Sequence, residues 1–227
     1  MIQLGKRLLN FVAAAWVLSL ALSLYLIFFY APVDQALGIS QKIFYVHLGA
    51  ASATSLCVLV AFINSVRFLL FGSFDSDDWA CACAELTVMF GLIVLVTGMI
   101  WARIAWGVFL PLSEIKLLLF LLLWVIFVAY LILRKSFDSL QKKATGSAVF
   151  AVLGSLVMPF VVLATRFFDL GFQLHPNVIK TSDAGMPARM LVTLLVSICS
   201  WLLLAVLLTC LVGGIRNAHR QLQFGTQ

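Results

Sequence analysis

The chain has 227 residues, of which 63% are hydrophobic and only 11% charged, about half the charged share of an ordinary soluble domain. That balance excludes a water-solvated globular fold. The net charge of +6 would suggest nucleic acid in a soluble protein, but the basic residues are spread through short segments beside apolar blocks, where they set membrane orientation.

Apolar blocks of about twenty residues, each able to cross a hydrocarbon layer of about 30 Å, predict spans near 10-30, 43-66, 84-104, 115-133, 147-166 and 189-212. The expected fold is all-α: an integral membrane bundle of six transmembrane helices forming a single transmembrane domain over 1-227. The first block exceeds a typical signal-peptide core and ends without a small-residue cleavage site, so it is expected to stay as a helix. Asp34, following Ala31-Pro32, suits a turn into the first outer segment. In the second span His47 lies about one turn in. Ala50, Ala51 and Thr54 follow it at i+3, i+4 and i+7, small residues that let another helix or a flat ligand come close.

Between the second and third spans, Asp75, Asp77 and Asp78 lack the ordered spacing of a calcium loop and read as a solvated turn. Cys81-Ala-Cys83 is not a C-x-x-C motif. Cys81 and Cys83 read as two small buried thiols, and together with Cys57, Cys199 and Cys210 they fall in or beside apolar blocks, which makes a disulfide framework improbable. The third span runs into Trp101, Arg103, Trp106-Gly107, Phe109 and Pro111. Tryptophans at a membrane boundary and a snorkelling arginine explain this stretch without function. Equally, Trp101, Trp106 and Phe109 would make a stacking surface for a planar ligand, with Arg103 available to its carboxylates. Glu114 and Lys116, two residues apart, read as interfacial anchors. The segment 167-188 stays apolar through Phe172 and Leu174 until His175-Pro176 turns it, as expected of chain lying along the interface.

This alternation places both termini on one side, with Lys6, Arg7, Arg67, Arg134, Lys135, Lys142, Lys143, Arg216 and Arg220. Lys42, Arg103, Lys116, Arg166, Lys180 and Arg189 fall on the other. Nine against six makes the termini cytoplasmic. His47 and His175 then share the outer side. Two neutral imidazoles at one depth are what six-coordinate haem iron needs. A histidine near a helix end also commonly hydrogen-bonds a neighbour or interfacial water, and spacing does not choose between these roles. There is no phosphate-binding loop, nucleophile elbow or zinc-binding helix, so no enzymatic activity is expected.

Several pieces together resemble a known family: Ala31-Pro32-Val33-Asp34, Ile43-Phe44-Tyr45-Val46-His47, Val96-Thr97-Gly98 with Trp101, Trp106-Gly107, Leu174-His175 and Asp183-Ala184-Gly185-Met186. Their order, spacing and membrane side are similar to those of cytochrome c maturation protein C, the haem exporter protein C family of bacterial inner membranes, and the resemblance runs nearly end to end. It implies a multi-pass protein of the bacterial inner membrane, with His47 and His175 as axial ligands of haem b held on a tryptophan-rich outer loop. It also implies delivery to a periplasmic haem chaperone beside ATP-binding-cassette partner subunits of the maturation complex. The resemblance departs at that loop. The family continues into further tryptophans and an aspartate, whereas here Val108 to Leu112 intervene before Ser113-Glu114 resumes the pattern. Phe109 would replace part of the aromatic surface without an indole's hydrogen-bond donor.

Two other classes compete. A bis-histidine membrane electron carrier would keep its haem and reduce it reversibly, although such carriers usually fix both ligands on packed helices and His175 precedes Pro176. A haem-free membrane subunit of a small-molecule transporter would need a polar pathway, yet the predicted spans hold few ionisable groups, with Glu85 and Lys116 near their ends.

Overall fold

Apolar helices dominate because a backbone in hydrocarbon must satisfy its own hydrogen bonds. The computed structural model describes residues 2–35, 37–167 and 186–225. The helices are α1 (Ile2–Tyr25), α2 (Ile43–Phe71), α3 (Phe74–Trp106), α4 (Ile115–Lys135), α5 (Leu140–Ser155), α6 (Val157–Phe167) and α7 (Ala188–Phe224). There is no strand among the described residues. Six helical stretches are long and apolar enough to cross a membrane, with α5 and α6 sharing one crossing. Pro159, in the first turn of α6, has no amide hydrogen to offer the Ser155 carbonyl one turn back, and the two helices divide at Leu156. The last turn of α1 widens, with the Ala31 amide donating to the Leu26 carbonyl at 2.8 Å.

The core joins α2 and α3 to α4, α5 and α7. Ala53, Cys57, Val58 and Ala61 meet Cys81, Cys83, Ala84 and Phe90, closed by Leu123, Phe127, Tyr130, Ala151 and Ala205. Small side chains matter in a bilayer because lipid is as apolar as leucine, so close backbone packing supplies the association energy. The stripe after His47 serves this purpose in part: Ala50 and Thr54 are fully buried against protein. The thiols of Cys81 and Cys83 are buried, as their composition suggested. Large apolar side chains such as Phe11, Leu18 and Leu70 face outward, where lipid would meet them.

The solvated turn expected at Asp75, Asp77 and Asp78 is not what forms. Only Gly72 and Ser73 separate α2 from α3, and the aspartates lie in the first turns of α3, where the helix dipole favours negative charge. Asp77 and Asp78 are buried. Asp77 receives a bidentate fork from Arg134, at 2.7 Å to Oδ1 and 2.5 Å to Oδ2. Arg220 donates through Nε to Asp78 at 2.7 Å and through Nη2 to Asp75. Asn217 also donates to Asp75, at 2.7 Å. Two turns further along α3, Glu85 pairs with Arg216. Hydropathy had ended the spans where these charges begin, but mutual neutralisation lets α3 and α7 continue through them. Glu114 is corrected likewise: it is buried, not an interfacial anchor, where the Pro111–Glu114 turn tucks it in at the start of α4.

Candidate haem site at the opposite end of the bundle

The other end of the bundle gathers the start of α2, the end of α3 and the start of α7. Asp34 shapes the approach as expected, accepting from the Leu37 amide at 2.8 Å. Tyr45 then anchors the first turn of α2. It is fully buried, its hydroxyl accepts from Gln41 Nε2 at 3.0 Å, and its carbonyl accepts from Ser197 Oγ of α7 at 2.9 Å. Two residues on, His47 meets α3.

The His47 ring rests on the Thr97-Gly98 step of α3. Nδ1 lies 3.0 Å from Thr97 Oγ1, and a Cβ on Gly98 would stand 3.1 Å from Cε1 and 3.6 Å from Nδ1. A side chain at this position would crowd the ring, and glycine leaves it room against the helix. Thr97 in turn bonds its own helix, to the Ile93 carbonyl at 2.6 Å and the Val94 carbonyl at 3.2 Å. In the sequence, Thr97 and Gly98 belong to the Val96-Thr97-Gly98 pattern without a role of their own. Hydropathy could not supply one, because the partner lies 50 positions away.

One turn beyond Thr97 on the same helix, the Trp101 indole nitrogen is buried and has no acceptor among the described residues. Its ring meets Trp106 edge to face, with centroids 5.1 Å apart and planes at 83°. The pair therefore offers a planar ligand one face and one edge, not a continuous platform. Gly107 ends α3 in a left-handed conformation at φ 78°, which a side chain would strain, accounting for glycine after Trp106. Arg103 donates to the Gly107 carbonyl and lies over the exposed Phe109 ring, 5.5 Å from its centroid. Lys42 similarly lies over Phe28 at 4.9 Å, and Arg189 over Tyr30 at 4.5 Å. None of these three cations has a carboxylate partner among the described residues. His175 lies outside the described residues, so the structure brings together His47, Trp101, Trp106, Arg103 and Phe109 at one end without addressing the second histidine. No cluster of three or more metal-ligating side chains occurs among the described residues.

The side chains gathered here are of types that suit a planar, anionic, metal-bearing ligand: an imidazole, a buried indole N–H with no acceptor among the described residues, and cations with no carboxylate partner among them. The fold is that of a polytopic helical membrane protein, with these side chains gathered at one end.

The family model described as heme exporter protein C (CcmC) matches residues 1–223, and the chain belongs to that family of membrane proteins in haem transport for cytochrome c biogenesis. It is similar to the heme exporter protein C of Rhodobacter capsulatus, 29% identical over 181 residues that cover 80% of this chain and 74% of that protein. The heme exporter protein C of Bradyrhizobium diazoefficiens is 27% identical over 216 residues, 95% of this chain and 80% of that protein. A cytochrome c biogenesis protein CcsA of Phalaenopsis aphrodite is 29% identical over 117 residues, 52% of this chain and 35% of that protein.

Proposed function

We propose that this protein binds haem b at the end of the bundle that carries His47, with His47 and His175 as axial ligands, and passes it to a periplasmic haem chaperone. In this reading the termini are cytoplasmic, the membrane is the bacterial inner membrane, and ATP-binding-cassette subunits of the maturation complex act beside it. The chain handles haem without catalysing a reaction. The observation that carries the proposal is the His47 imidazole seated on Thr97, one helical turn before Trp101, whose buried N–H has no acceptor among the described residues. Trp101 and Arg103 would take the haem carboxylates, Trp106 and Phe109 would cover apolar edges, and Lys42 and Arg189 add positive charge at the same end. Bound haem supplies a coloured, redox-active iron with two open axial positions; the protein supplies the ligands and excludes water.

Protein purified in mild detergent from haem-replete cells should show a haem absorption spectrum, which His47→Ala or His175→Ala weakens or alters. Colourless wild-type protein that also fails to take up added haem would overturn the proposal.

A further inference from the structure

We infer that Thr97 is a positioning residue for His47: its hydroxyl holds the ring proton on Nδ1, so that in the neutral imidazole the lone pair is carried by Nε2, the nitrogen that then ligates haem iron. This rests on the haem reading above. The hydroxyl has one proton, and the short bond to the Ile93 carbonyl, shared with Val94, occupies it. What Oγ1 turns toward His47, at 3.0 Å, is therefore a lone pair. A ring nitrogen facing an oxygen whose proton is already committed must bring its own, and a neutral imidazole with its proton on Nδ1 has its acceptor at Nε2.

Three further contacts hold the ring in register for this bond. Gly98 lets the Cε1 and Nδ1 edge approach α3, where even a Cβ would meet Cε1 at 3.1 Å and the ring would have to give by a few tenths of an ångström. Ser197 of α7 bonds the Tyr45 carbonyl, so α2 cannot rotate the ring off Thr97 without breaking that buried hydrogen bond, while Gln41 fixes the Tyr45 hydroxyl within the same turn. Thr97 is itself in a helix whose next turns are packed against α2, so donor and acceptor are set by rigid elements rather than by a loop. Thr97 thus acts on the cargo only through His47. Partners of this kind fix the tautomer of a ligating histidine and raise its basicity, and their loss typically costs about 10–100-fold in metal affinity.

The test begins without haem. In protein labelled with 15N-histidine, the His47 signals, assigned by their loss in His47→Ala, should report protonated Nδ1 and unprotonated Nε2. Thr97→Val, which keeps the side-chain shape but not the hydroxyl, should shift that ring toward the Nε2–H tautomer, and Thr97→Ser should restore the wild-type pattern. Haemin titration should then show affinity lowered about 10–100-fold in Thr97→Val and near wild type in Thr97→Ser. Predominant Nε2–H in wild-type protein overturns the inference even if no variant folds. Loss of haem in His47→Ala with wild-type affinity in Thr97→Val overturns the role of Thr97 alone, whereas unchanged haem binding in His47→Ala overturns the haem site itself.

Discussion

Where α3 begins, Arg134, Arg216 and Arg220 face Asp77, Glu85, Asp78 and Asp75 across helix boundaries. Where α3 ends, Lys42, Arg103 and Arg189 lie over Phe28, Phe109 and Tyr30 and meet no carboxylate among the described residues. The same residue types thus do different work at the two ends. A guanidinium forked onto a buried carboxylate is committed: removing either partner leaves an uncompensated charge in a medium that cannot solvate it. A cation over an aromatic face keeps its hydrogen-bond donors for something else, because the ring attracts charge without accepting a bond from every N–H. The first end locks α3 to α4 and α7. The second remains chemically open to an anion.

The contrast breaks most sharply at Asp77. Asp77→Ala should strand Arg134 and cost about 3–5 kcal/mol of bundle stability, read by reversible detergent unfolding, while His47→Ala should leave stability near wild type and remove haem binding. An Asp77→Ala protein as stable as wild type would show that the ion-paired end is not a lock. Arg220 tests the point within one side chain. Asp78 is buried, whereas Asp75 is 62% exposed; Asp78→Ala should therefore cost several kcal/mol, as about 3–5 is usual for a broken buried pair, and Asp75→Ala no more than about 1 kcal/mol.

At the open end the effects on stability should be smaller and those on cargo larger. Trp101→Phe removes a buried donor that has no acceptor among the described residues, so stability should hold or rise by up to about 1 kcal/mol, while haem affinity falls. A Trp101→Phe protein that loses stability would mean the indole N–H serves the fold rather than a ligand. Arg103→Ala should be the mildest, within about 0.5 kcal/mol in stability, with haem affinity reduced about tenfold, the value of one charge-assisted bond. Equal haem binding by Arg103→Ala and wild type would remove Arg103 from the cargo surface without touching the rest.

The comparison also shows where sequence reasoning succeeded and failed. Spans were legible because a bilayer imposes length and hydropathy directly on the chain, and the helices carry those blocks. Their ends were not. Asp75, Asp77 and Asp78 look like a solvated turn because hydropathy scores each charge alone, whereas the fold cancels two of them against arginines far along the chain. Part of the site was legible in the same local way: His47, Trp101, Arg103, Trp106 and Phe109 stood out as residue types that bind flat anionic ligands, and they converge on one end. Thr97 did not stand out, because a threonine in an apolar span more often bonds only its own backbone, as this one also does.

What the sequence by itself determined is the six-helix membrane bundle, since it follows from composition and from the length of the apolar blocks, together with a set of candidate side chains at one end of it. Tertiary structure alone decided which arginine neutralises which aspartate, how close Gly98 lets His47 approach α3, and which hydroxyl faces its ring. The reason is physical. In a bilayer, lipid and protein interior are equally apolar, so hydropathy does not specify how helices rotate and register against one another. Small residues and polar contacts between distant segments decide that, and they become visible only when the helices are packed.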